Sequence, residues 1–289
     1  MPEFIVISLL NGISFGAVLF LLAAGLSLAL GLMGLLNLAH GSLFMFGAFV
    51  GWTVAVQLGF NFWLGVLAGG AVAGLIGLAI ERGILQHLYR LPNEQALATI
   101  GFLYILTNVA LWIWGGGTRT SYTMPALAHS IPIGNRVYPL SHISVIVVGV
   151  VLAIFLWWFQ EKTRFGTIIR AGIDDKEMVE GLGVNLGRVN YLLFFLAAGL
   201  AGAGGVIGSQ ILAPDLSMSM DILLLGLIVL VVGGVGSIQG AFAGSMLIGL
   251  INAFGVALFP EFARFFMYVV MIIVLLVRPT GLLGKSGLA

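Results

Sequence analysis

Two stretches of this chain carry residue types at spacings that do chemistry elsewhere. Gly12-Ile13-Ser14-Phe15-Gly16 has the Gly-x-Ser-x-Gly spacing of a hydrolase nucleophile. That motif needs a strand-to-helix turn, a base and an orienting acid. Here it lies inside a long apolar run whose only base is His40, with no carboxylate to orient it, so close helix packing is the better use of its glycines. Gly284-Lys285-Ser286 looks like the end of a phosphate-binding loop, but the first glycine of that motif would fall at Pro279, and too few residues come after it for the helix it requires. Nothing else resembles a nucleotide site, so ATP, if it drives this protein, is bound by another chain and no cofactor is expected here. The four histidines are scattered without a His-x-x-x-His pair and there is no cysteine, which leaves no metal site, thiol nucleophile or disulfide to propose. His40, close to Asn37, is the one histidine inside an apolar segment worth following; a hydrogen bond to a nearby carbonyl is its plainer role.

The elements around these residues are set by composition. The chain is 60% hydrophobic and 8% charged, with a mean hydropathy of +1.15, against about 25% charged residues in a soluble domain. Phe4 to Ile80 and Ile222 to Pro260 contain no Asp, Glu, Lys or Arg. Runs of that length far exceed the roughly 20 apolar residues that cross a bilayer, and they lack the alternation of a barrel. The expectation is an all-α, polytopic transmembrane helical bundle, one domain over 1–289. Breaks at Gly, Pro and polar clusters divide it into nine apolar segments, about 4–33, 38–57, 62–80, 96–115, 141–159, 190–212, 219–233, 238–258 and 263–279. The seventh is short, so eight to ten spans are expected. Asp221 and Arg264 fall at segment ends, so the spans hold essentially no charge, which argues against a proton-coupled carrier. Met1-Pro2-Glu3 has no basic stretch of the kind that opens a cleaved signal. The net charge of +1 gives no ground for a nucleic-acid partner.

Charge is concentrated between Gln160 and Asn190, which holds ten of the 12 basic and 11 acidic residues. Arg82, Arg90, Lys162, Arg164, Arg170, Lys176, Arg188, Arg278 and Lys285 fall on one side of the predicted spans, and only Arg119, Arg136 and Arg264 on the other. The positive-inside rule makes the first side cytoplasmic, with the N-terminus outside and the C-terminus inside. Trp112, Trp114, Trp157 and Trp158 lie near span ends, as in an aromatic belt. Many of the 42 glycines recur at four-residue spacing, among them Gly12/Gly16, Gly47/Gly51 and Gly240/Gly244, which suits close helix approach. Leu36 to Ser42 and Gly233 to Gly240 both interrupt an apolar run with a polar residue before Gly. They read either as an internal repeat with broken helices or as two unrelated Gly-rich turns.

Within the island, Asp174-Asp175-Lys176-Glu177 has the form of a helix start, with Asp174 as cap and Glu177 reaching back to it. Gly183 stops the helix, giving about eight residues. Met178 and Leu182 then share a face at i, i+4, with Val179 beside them. Such a face suits a groove on another protein. The alternative is a helix lying on the membrane, but surface helices favour a basic polar face and this one is acidic.

Four stretches in order resemble the permeases of ATP-binding-cassette importers for branched-chain amino acids, most closely their shorter permease subunit. They are Asn37-Leu38-Ala39-His40-Gly41; Arg170-Ala171 with Asp175, Met178, Leu182-Gly183-Val184-Asn185 and Arg188-Val189; Gly233 to Gly240; and Arg278-Pro279-Thr280-Gly281-Leu282-Leu283-Gly284. Val179 departs from the family's usual Ala, and Gly181 from a commonly larger residue. The resemblance implies an inner-membrane importer with two permease subunits, two cytoplasmic ATPases and a periplasmic solute-binding protein. It makes the island, with Arg170, Ala171, Asp174, Asp175, Glu177, Met178, Leu182, Gly183, Val184 and Asn185, the seat of an ATPase. The superfamily also moves urea, short amides and sugars. Polar side chains that can line a path are Asn37, His40, Ser42, Asn108, Ser237, Gln239 and Asn252, although a helix–helix hydrogen bond is the commoner use of each. The reading from another class is a stand-alone channel or facilitator for a small neutral solute.

Overall fold

The computed structural model describes residues 2–34, 36–89 and 91–284. Arg90 and Lys285, two of the basic residues that orient the chain, and Ser286 lie outside them. The apolar runs form helices, and caps or breakers end them. They are α1 (Pro2–Met33), α2 (His40–Trp52), α3 (Phe62–Gly83), α4 (Pro92–Trp114), α5 (Leu140–Lys162), α6 (Arg164–Asp174), α7 (Lys176–Gly181), α8 (Leu186–Gly208), α9 (Met218–Gly233), α10 (Ile238–Leu258) and α11 (Ala263–Val277). Side-chain oxygens accept from the first turns of several: Asn61 from the Trp63 amide, Thr163 from Gly166, Asn185 from Arg188 and Ser237 from Gly240, at 2.9–3.0 Å. Each satisfies an amide that the helix itself leaves unpaired.

The nine apolar segments map onto α1–α5 and α8–α11. Seven helices among the described residues are long and apolar enough to cross a membrane, the last of them counted from Pro260, and α9 is a shorter apolar helix. α2 is 13 residues long and continues as a π-turn over Thr53–Gln57. α1 is the hub, packing on α8, α9, α10 and α5, while α3 lies along α8. Tails of lipid are as apolar as Leu, so association here depends on close packing rather than on removing apolar surface from water. The glycines provide it. A Cβ at Gly12 would stand 2.8 Å from the Leu250 Cα, and one at Gly47 would stand 2.3 Å from the Gly202 Cα and O. Ser14 is buried and its hydroxyl donates to the Asn11 carbonyl, as a helix-packing residue does.

The outward-facing helices are α4, α5 and α11, where Trp112, Ile154 and Leu276 are exposed. Trp114, expected in an aromatic belt, instead turns inward. It stacks on Phe49 with ring centroids 5.2 Å apart, and its indole N–H donates to the Thr53 hydroxyl at 2.7 Å.

At the end opposite the charged island, 116–139 contains a small hairpin, β1 (Ser130–Ile133) with β2 (Arg136–Pro139). The loop before it is tied to the α8–α9 connection. The Arg119 amide donates to the Pro214 carbonyl at 2.8 Å, and the Thr118 hydroxyl donates to Asp215 at 2.8 Å. Hydrogen bonds from Ser217 and Thr118 hold the Asp215 carboxyl below the usual carboxylate range. A lowered folded-state pKa stabilises above the unfolded value, and that contribution is lost as pH falls through the folded value. Exchange of the Arg119 amide, corrected for intrinsic rate, should therefore be slow at neutral pH and speed up below the ordinary carboxylate range. Protection that does not change on acidification would show that Asp215 does not hold this tie.

Candidate functional site

The charged island folds into two short helices rather than one. Thr163 caps α6, which sequence reasoning missed. α6 is anchored by a salt bridge from Arg170 to Glu161 at 3.0 Å and by buried Ile169 and Gly172. Asp174 is the last residue of α6, so it cannot cap the next helix. The cap is Asp175. Its backbone is extended (φ −156°, ψ 102°), and its carboxylate accepts from the Met178 amide at 2.9 Å. Glu177 then stands one position short of the place from which it could close a capping box. α7 is accordingly six residues, not eight. Gly183, at φ +85°, ends the segment as expected, in a conformation that L side chains rarely adopt.

α7 divides its apolar residues between two sides. Val179 is 3% exposed and points into the protein. Met178 and Leu182 are 54% and 76% exposed and point away from it. Met178, within α7, and Leu182, at its C-cap, are both exposed, with Val179 behind them rather than beside them. Asp174, Asp175, Lys176, Glu177, Glu180 and Asn185 surround that face with polar groups, Ala171 is half-buried in α6, and Val184 is partly covered where the chain turns into α8.

Behind this pair of helices the contacts run into the bundle. A Cβ at Gly172 would stand 2.5 Å from Leu32 Cδ1. A Cβ at Gly31 would stand 2.7 Å from the Gly236 Cα and 3.2 Å from Ile173 Cδ1. Ile173 therefore touches both the end of α1 and the turn before α10. A cavity of about 500 Å³ remains between them, edged by Gly34, Asp175, Lys176 and Val235. The end of α1 meets the turn before α10 here, with the Ser27 hydroxyl 3.4 Å from the Ser237 carbonyl. The helices that the two Gly-rich breaks open start at different depths. α10 is full length and starts at the island end. α2 starts deeper: His40 lies against Gly25, eight residues before the end of α1, or about 12 Å at 1.5 Å per residue.

Asn37, His40 and Ser42 come together at this buried start of α2, each no more than 1% exposed. The Asn37 carboxamide oxygen accepts from the Ala39 amide at 3.1 Å, and the Ser42 hydroxyl donates to the Ala39 carbonyl at 2.7 Å. The His40 ring lies by the Leu22 carbonyl, yet its Nε2 is buried without completing a hydrogen bond. The other candidates are elsewhere. Ser237 caps α10. Asn108 is exposed on α4 and donates to its own helix at the Tyr104 carbonyl. Gln239 lies in an apolar cleft between α5 and α10. Asn252 lines a separate cavity among α1, α9, α10 and α11.

One charged group inside the bundle went unnoticed in the sequence. α3 runs on past Ile80, and its next residue, Glu81, is fully buried, with one oxygen accepting from the Tyr89 hydroxyl and the other unpartnered. The apolar segment predicted from the sequence ends at Ile80 and only Arg82 beyond it serves to orient the chain, so Glu81 is passed over.

A family model described as the permease component of branched-chain amino acid transport systems matches residues 8–275. The chain belongs to that permease family. The permease is 30% identical to LivH of Escherichia coli K12, a high-affinity branched-chain amino acid transport system permease protein, over 95% of this chain and 94% of that protein. It is 29% identical to BraD of Pseudomonas aeruginosa, a protein of the same description, over 96% of this chain and 95% of that one. Among solved structures, PsaBC from Streptococcus pneumoniae in complex with Fab superposes with a TM-score of 0.51 at 14% identity, over 92% of the permease and 89% of that chain. At that identity the likeness concerns the fold: an all-α membrane bundle of the same kind.

Proposed function

We propose that this permease is one of two membrane subunits of an ATP-binding-cassette importer that carries branched-chain amino acids across the inner membrane. ATP is bound and hydrolysed on separate cytoplasmic subunits, and a periplasmic solute-binding protein delivers the substrate. The basic residues place the island in the cytoplasm, the C-terminus inside and the N-terminus outside. The observation that carries the reading is the exposed pair Met178 and Leu182 on α7 and its C-cap, in a chain of a permease family that holds no nucleotide motif. This face seats on an ATPase. Arg170 braces α6 through Glu161, Asp175 and Gly183 set the ends of the α7 segment, and Ile173 passes its displacement to α1 and the turn before α10. The names of the similar proteins support branched-chain amino acids as substrate, and the buried start of α2, with Asn37, His40 and Ser42, supplies polar groups along the path.

In proteoliposomes containing both permeases, the ATPases and the solute-binding protein, leucine should accumulate only when ATP reaches the ATPases, and this chain reconstituted alone should pass none. Leucine flux through the chain alone, without ATP, would make it a facilitator instead.

A further inference from the structure

Asp221 and Arg264 lie in the first turns of α9 and α11, where the sequence suggests the water-facing ends of spans. Both helices are short. Asp221 is 12 residues before the end of α9 and Arg264 is 13 before the end of α11, so at 1.5 Å per residue each sits about 18–20 Å from the island end. The apolar layer of a bilayer is about 30 Å thick, so on the proposed topology both charges fall in its outer part, with their side chains exposed on the protein. A charge at that depth is costly and persists where it faces a polar partner or a cavity. The two side chains edge one cavity of about 210 Å³. Among the described residues neither makes an ion pair or a side-chain hydrogen bond. Asn252 adds an amide to the wall, and Phe15, Leu225 and Met267 make its apolar side.

We infer that this cavity is a transient substrate subsite for a zwitterionic amino acid. Arg264 takes the α-carboxylate, Asp221 takes the α-ammonium, and the aliphatic side chain rests against Phe15, Leu225 and Met267. A carboxylate and a guanidinium that leave each other unpaired across a cavity match the two charges of such a molecule, and a guanidinium can bind a carboxylate through two parallel N–H bonds. The subsite rests on the proposal that the permease carries amino acids. Under the proposed orientation the cavity is in the outer half of the membrane, where substrate arrives from the solute-binding protein. A phospholipid headgroup with an ammonium and a phosphate shares this chemistry, so the test separates the two sources.

The test uses the complete importer in proteoliposomes. Arg264→Gln and Asp221→Asn should each lower leucine uptake about tenfold or more, as loss of a charge-assisted contact does, while ATP hydrolysis stimulated by the loaded solute-binding protein is retained. In a second arm, the natural chain has no cysteine, so Leu224→Cys puts a unique thiol on the cavity wall. Leucine, but not leucinamide, should slow its modification by a soluble maleimide. Uptake unchanged in both charge variants, or protection that tracks phosphatidylethanolamine content rather than leucine, overturns the subsite alone. A wild-type importer that does not move leucine overturns the amino-acid reading and the subsite with it.

Discussion

Met178→Asp or Leu182→Asp should abolish ATP-driven uptake and detach the ATPase, while the permease still inserts and folds. The two side chains are 54% and 76% exposed, so neither holds the fold together and a carboxylate at either position remains in water in the free subunit. In the proposed docking the same positions would enter an apolar groove on the ATPase. Burying a large aliphatic side chain is worth about 1.5–3 kcal/mol, and putting a carboxylate in its place adds a desolvation cost. An interface anchor lost in this way costs about 2–4 kcal/mol, or roughly 30- to 1,000-fold in affinity. Pull-down of the ATPase and leucine uptake should fall together. Val179→Asp makes the contrast: Val179 is buried in the permease itself, so that change should lower the stability of the α6–α7 segment as well as its binding. Full transport in both Met178→Asp and Leu182→Asp would remove α7 from the coupling route.

Gly47→Val should prevent the bundle from assembling. The first added carbon would stand 2.3 Å from the Gly202 backbone, which belongs to a buried helix and cannot swing aside as the end of a side chain can. α2 and α8 would have to separate, and α2 would lose its seat. Overpacking a closed core costs about 1–3 kcal/mol or more, and the collision here is with main chain, so the upper end is expected. The measurement is the melting temperature and the monodisperse fraction in detergent. Gly101→Ala is the matched control, a helical glycine with no atom in reach of an added Cβ; it should leave both unchanged. Equal behaviour of the two variants would show that α2 does not pack on α8 as described.

The spans and the outward face of α7 are legible in the sequence because each depends on a local pattern. Charge-free runs bounded by Gly, Pro and polar residues define the helices, and Met178 and Leu182 share a face by helical spacing alone. What was not legible depends on tertiary placement. Asp174 and Asp175 are chemically equal caps, and only the length of α6, fixed by Thr163 at one end and by packing at Ile169 and Gly172, decides between them. An apolar run reads the same whether it meets lipid or protein, so nothing local showed that α2 begins inside the bundle or that Trp114 turns inward. A charge at a segment end reads the same whether it is solvated or enclosed, which hid the burial of Glu81. Of the path candidates, only Asn37, His40 and Ser42, close in sequence, stand together in the fold. The rest were collected by side-chain type, which carries no information about which side of a helix faces inward.

Photo-crosslinking in the assembled importer locates the proposed ATPase seat on α7. A photoreactive amino acid replacing Leu182 should give an adduct with the mass of permease plus ATPase. The same group replacing Asn108, exposed on α4, should give none. An ATPase adduct from position 108 and not from 182, or adducts from 182 only with lipid, would move the ATPase seat away from α7.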